Sequence, residues 1–186
     1  MNTMTISANA TNLEVLKKDA SQTQKKGLPY MMASVVIWSL VLVIQFIDRP
    51  IMIKNFYTFM CSCLMMPLAY GFSKVVGANI FKKMVNPIAK LGFLCTMNQN
   101  LYILIVMWAS SVHPEAMLML YCMVFGAHLL PFGWIYDNRA YTFISITEAI
   151  GAFFVTLFFG NAATAALLVI LQIVLCILLY MDIRKG

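Results

Sequence analysis

NAATAALLVILQIVLCILLYM, residues 161–181, runs for 21 positions without one charged side chain. A membrane-crossing helix needs about 17–25 largely apolar residues, because the hydrocarbon layer is about 30 Å thick and each helical residue rises about 1.5 Å. The stretch has that length. Its apolar residues follow one another without the stripe of an amphipathic helix or the alternation of a half-buried strand, which is the pattern of a segment surrounded by apolar solvent. Five more stretches of the same kind precede it, at 29–47, 55–73, 88–110, 115–133 and 140–159. The sequence therefore predicts an all-α integral membrane bundle of six transmembrane helices, with residues 29–186 as a single domain and residues 1–28 as an N-terminal tail.

Composition points the same way. Of 186 residues, 62% are hydrophobic and only 11% charged, where soluble domains carry about 25% charged residues. With a mean hydropathy of +0.83, a soluble globular protein is excluded. The 13 Lys and Arg then set the orientation, since positively charged loops stay on the cytoplasmic side. With an internal N-terminus, the inner segments hold Lys17, Lys18, Lys25, Lys26, Lys74, Lys82, Lys83, Lys90, Arg139, Arg184 and Lys185, whereas the outer loops hold only Arg49 and Lys54. Six spans place both termini in the cytoplasm and every loop obeys the rule. The net charge of +6 is thereby a matter of topology, and nucleic acid is not expected as a partner, since no basic-and-aromatic motif accompanies it.

The polar start before 29–47 is not read as a signal peptide, because the apolar run is too long and lacks a small-residue cleavage pattern. Thr11-Asn12-Leu13-Glu14 has capping-box spacing, which suits a short helix through about Gln24 as well as a mobile tail. In the loop 74–87, Ile80, Phe81, Met84 and Val85 oppose Lys82 and Lys83 at helical spacing, as in an interfacial helix or a simple connector at the anionic leaflet. Trp134, Tyr136 and Trp108 lie near span ends, where amphipathic rings anchor at headgroups. Pro67 and Pro131 near the inner ends of two spans predict kinks. Cys61 and Cys63, two apart on a helix, point in nearly opposite directions and are expected to stay unpaired.

Ionisable groups inside spans are harder to place, since a charged one costs at least about 2.5–3.5 kcal/mol at the helix centre. Counting about 1.5 Å per residue from the inner boundary puts His128 about 9 Å deep, Glu148 about 12 Å, Gln172 about 14 Å and Gln99 about 16 Å. Four polar groups from four spans thus share one layer, and His128 and Glu148 are expected to meet. Rotation at about 100° per residue gathers Tyr141, Ser145, Glu148, Ala149, Ala152 and Thr156 on one small, polar arc, away from Phe143, Ile146, Ile150, Phe153 and Leu157. Asn98 and Asn100 flank Gln99, and three adjacent amides cannot all avoid the protein interior.

Two readings follow. In one, Glu148, His128, Gln99, Gln172, Asn98, Tyr141 and Ser145 form a polar ligand or proton site of a small carrier or channel, open toward the cytoplasm. In the other, the chain is a non-catalytic membrane subunit or regulator, and these groups are interhelical hydrogen bonds. Dimerisation, or association with a partner membrane protein, suits either. No HExxH, GxSxG or paired-Asp motif occurs, so no catalytic residue, metal or cofactor is expected and the chain is not expected to be an enzyme.

The stretch FGAHLLPFGWIY, residues 125–136, followed by Arg139-Ala140-Tyr141, resembles the signature of a family of small bacterial multi-pass membrane proteins of unknown function. The basic tail, the Trp in the first span and the Pro-Leu near the end of the second are similar too. The resemblance covers the chain from about Lys17 and singles out His128, Pro131, Trp134 and Tyr136. It implies a bacterial inner-membrane location and no activity.

Overall fold

The computed structural model describes residues 2–80 and 86–185, with side chains from residue 12 onward. Phe81, Lys82, Lys83, Met84 and Val85, where the sequence predicts an interfacial helix, lie outside the described residues. The described residues fold into helices α1 Asn2–Thr23, α2 Leu28–Gln45, α3 Ile51–Ser62, α4 Met65–Val76, α5 Pro87–Val112, α6 Met117–His128, α7 Leu130–Ile135 and α8 Arg139–Lys185, with no strand among them. Five helical stretches are long and apolar enough to cross a membrane: Lys25–Gln45, Ile51–Val76, Pro87–Val112, Pro114–Ile135 and Arg139–Lys185.

The last of these, 47 residues long, is broken at Gly160, whose φ of 81° and ψ of −178° lie outside the helical region. Only glycine adopts that backbone without severe strain. Its two arms, 139–159 and 161–185, run antiparallel. Thr156 and Thr164 share a hydroxyl hydrogen bond of 2.7 Å, and further down Gln172 meets Glu148, two pairings symmetric about Gly160.

The two segments with a proline well inside them, Pro67 and Pro131, are interrupted just before it. A proline ring clashes with the carbonyl four residues back and supplies no N–H, so the chain tightens there. Cys63 N–H and Leu64 N–H donate to the carbonyls of Met60 and Cys61, three residues back, before α4 resumes. Leu129 N–H does the same to Gly126 between α6 and α7.

The core sits between α2, α6 and α8, around Trp38, Leu118, Cys122, Phe125, Leu168 and Leu175. Gly126 allows α6 to approach α8 closely. A Cβ there would lie 2.8 Å from both the Ala149 nitrogen and Glu148 Cβ. The first arm of α8 buries Tyr141, Ser145, Glu148 and Ala152 and exposes Phe143, Ile146, Ile150, Phe153 and Leu157. This follows the division that the helical rotation of the sequence predicts, except that Ala149 and Thr156 of the small arc are only partly buried.

Helices α3, α4 and α5 are peripheral. Helix α4 packs on α2 and α5 packs on α6 and α7, with at most marginal packing between α5 and α3 or α4. Asn55 at the start of α3 nevertheless donates to Ser110 Oγ at 3.3 Å and to the Pro114 carbonyl at 2.9 Å. The two sides meet at that end, near Gly160, and leave a cleft between them elsewhere.

At the opposite end the N-terminal segment docks onto the bundle. It is no detached tail. Helix α1 starts well before the capping-box sequence and buries Ala20 and Ser21. Asn86 donates to the Leu16 carbonyl at 2.7 Å and to Asp19 at 2.8 Å, and Lys17 Nζ lies 4.2 Å from the centre of the Trp134 ring.

Candidate functional site

The polar layer expected from the sequence separates into two arrangements. One is sealed. Gln172, on the second arm of α8, donates from Nε2 to Glu148 Oε1 at 2.6 Å and accepts on Oε1 from Ser34 Oγ of α2 at 2.6 Å. The single Ser34 hydroxyl proton has a second acceptor within reach, the Met31 carbonyl at 2.7 Å. Glu148, Gln172 and Ser34 are all fully buried. Glu148 Oε2 has no hydrogen-bond partner among the described residues, and an unsatisfied buried acceptor costs about 1–3 kcal/mol. Ser34 is the member that sequence reading missed. Its signal is a lone hydroxyl on the inward stripe of α2 that also carries Ile37, Trp38 and Val41.

The second arrangement lines a cavity. Behind the docked N-terminal segment is a space of about 190 Å³ bounded by His128, Gln99, Thr96, Tyr30, Phe125 and Phe132, with Gln24, Gly27, Tyr136 and Tyr141 at its covered end. His128 Nδ1 is hydrogen-bonded to the carbonyl of Phe125. A carbonyl only accepts, so Nδ1 carries the proton, and in its neutral form the ring presents Nε2 as an acceptor. No described residue bonds to Nε2. A second cavity of about 230 Å³ follows along α5, bounded by Trp38, Ser62, Tyr121, Ile103 and Asn100. The two share a wall made of Met65, Met66, Thr96, Gln99 and Phe125. The break between α3 and α4 brings Met65 and Met66 to that wall, and Ser62 meets Tyr121 Oη at 2.6 Å beyond it.

His128 and Glu148 are therefore not joined. Gly126 is the α6 residue that faces Glu148, and two residues further on a helix turns about 200°, so His128 points the other way. Tyr141 and Ser145 are buried, and Tyr141 reaches the first cavity rather than Glu148. Of the three adjacent amides, Gln99 lies between the cavities, Asn100 lines the second, and Asn98 is exposed on the far side of α5. Trp134 and Trp108 are half-exposed. Tyr136, read from the sequence as a third interface ring, is instead buried and stacked on Phe132.

The cover over the first cavity is held in an unusual backbone. Lys25, Lys26 and Gly27 have φ of 47°, 50° and 74°, and the two lysines carry the steric cost of the left-handed region. Three ties hold the turn: Tyr136 Oη donates to Gln24 Oε1 and Tyr141 Oη to the Lys26 carbonyl, both at 2.7 Å, and Lys26 pairs with Asp182. Asn138 also donates to Asp182 at 2.6 Å. The Lys26 hydrogen bond and charge hold the Asp182 carboxyl below the usual carboxylate range.

Residues 13–182 match the family described as a family of unknown function, DUF7010, and the chain belongs to that family. No curated protein and no solved structure matches it.

Proposed function

We propose that this DUF7010 member is a six-span protein of the bacterial inner membrane, with both termini in the cytoplasm, and that it carries a small uncharged solute through its two cavities. The observation that carries this reading is their serial arrangement along α5, with one shared wall between them. Met65 and Met66 give that wall flexible thioether chains, and Gln99 and Thr96 offer polar groups to both sides. Among the described residues no Asp, Glu, Lys or Arg lines either space, which favours a neutral cargo. Nε2 of His128 accepts a hydrogen bond, and the rings of Phe125, Phe132, Tyr136 and Tyr141 offer apolar faces. A cavity of about 150 Å³ holds a benzene-sized molecule, so the class is a polyol or amide of a few heavy atoms. Glu148 then clamps helices and is not the cargo site.

Flux tests this directly. Proteoliposomes and protein-free vesicles are mixed with hyperosmotic glycerol, urea or acetamide, and reswelling is followed by light scattering. At least one solute should enter faster with the protein present, and His128→Phe should slow it. Equal rates for all three solutes would overturn the carrier reading.

A further inference from the structure

The outward face of α5 carries a regular seam. Leu91, Leu94, Asn98, Leu101, Ile105 and Trp108 follow one another at steps of three and four residues, the spacing of a and d positions in a coiled coil. All six are exposed, the five apolar ones between 39% and 64%. Leucines facing lipid need no partner. Asn98 does.

It stands within two residues of the middle of a 26-residue helix, at the depth farthest from headgroups and water in the membrane placement proposed above. No hydrogen bond to the Asn98 side chain occurs among the described residues. A carboxamide left so in hydrocarbon is costly, and Asn on transmembrane helices pairs across helix interfaces. A single Asn in an otherwise apolar seam also fixes register.

From this geometry we infer that α5 pairs with α5 of a second copy of the chain through this seam. The occupant follows from symmetry and chemistry. Copies inserted in the same orientation are related by a two-fold axis along the membrane normal, which brings each seam position to its own equivalent. Asn98 then meets Asn98 of the second copy at equal depth. A carboxamide both donates and accepts, so it is its own complement. The seam lies about 100° around α5 from Gln99, so pairing leaves the cavity side of α5 uncovered. The inference rests on the proposed membrane placement but not on any transport activity.

The test uses the full-length chain in liposomes, labelled singly with a fluorophore, with the dimer fraction read by photobleaching steps over a range of protein-to-lipid ratios. The wild type should dimerise. Asn98→Leu should raise the dissociation constant about three- to tenfold, the scale of one or two interhelical hydrogen bonds, while Asn98→Gln, which keeps a self-complementary amide, should stay near the wild type. Oxidative crosslinking gives the orientation: Ile105→Cys should yield more covalent dimer than the parent chain, and Leu104→Cys, about 100° away, should not. A vesicle-inserted protein that is monomeric at all ratios would overturn the seam and leave the membrane placement standing. So would an unaffected Asn98→Leu dimer, stronger crosslinking at Leu104, or a different membrane protein on this face with no self-association. Failure to insert into vesicles at all would overturn both.

Discussion

Glu148 shows how a buried carboxyl serves as a joint. Its carboxyl accepts a hydrogen bond from Gln172, which in turn ties Ser34 on α2 to the α8 hairpin. Glu148→Gln keeps the shape and an acceptor for Gln172, and is expected to change stability by less than about 1 kcal/mol. Glu148→Leu leaves the Gln172 amide unpaired in the core, and thermal unfolding in detergent should show a loss of about 1–3 kcal/mol. A Leu variant as stable as the wild type would contradict the joint. Asp182, beyond the end of the sixth apolar stretch at Met181, gives a pH prediction. Its folded pKa is depressed from the ordinary 3.8 by Lys26, so its stabilisation is present above that value and is lost as pH falls through the folded pKa. Between about pH 6 and pH 3 the wild type should lose more thermal stability than Asp182→Asn, which has no charge to lose. Parallel pH profiles would count against the Lys26 tie.

Helices were the most legible part of the sequence. Runs such as 161–181 leave no alternative, and Pro67 and Pro131 announce the two interruptions that the structure places three and two residues ahead of them. The first arm of α8 buries four of the six residues that a 100° rotation assigns to its inward arc and exposes the bulky ones assigned elsewhere. What depth counting could not supply is the direction in which each group points around its helix. His128 and Glu148 sit at similar counted depths, yet Gly126 is the α6 residue against Glu148, and His128 lies around the helix on the cavity side. The docking of α1 was equally hidden, because its ties are single hydrogen bonds to residues far along the chain. Two glycines carry the element-level predictions. Gly126→Ala puts a methyl against the α8 backbone and should destabilise by about 1–3 kcal/mol. Gly160→Ala meets no neighbouring atom but must hold a backbone reserved for glycine, at a cost of about 1–3 kcal/mol. Equilibrium unfolding of both variants checks this, and a neutral Gly160→Ala would mean the hairpin turns elsewhere.

At the scale of the molecule, residues 24–27, the 136–141 turn and Asp182 meet at one end, while Asn55, Pro114, Glu115 and Asn161 meet at the other. In the orientation proposed from the lysines and arginines, the first of these ends faces the cytoplasm. A reporter active only in the cytoplasm, fused after Gly186, should be active, and one active only in the periplasm should be silent there. The reverse would invert the bundle. The carrier account itself turns on the first cavity being a passage. Gly92 lines that cavity, and a Cβ there would make only ordinary contacts, 3.5 Å to Phe132 and 3.7 Å to Ile135. The Cβ of Gly92→Leu therefore fits as the helices stand and the rest of its side chain adds bulk at the cavity, while removing a helix-interior glycine favours α5 by about 1 kcal/mol. The decisive measurement is glycerol, urea and acetamide entry into vesicles carrying the wild type or Gly92→Leu at equal protein density. The account predicts that a solute admitted by the wild type enters Gly92→Leu vesicles no faster than protein-free ones, although the variant is at least as heat-stable. Passage through Gly92→Leu at the wild-type rate would contradict it.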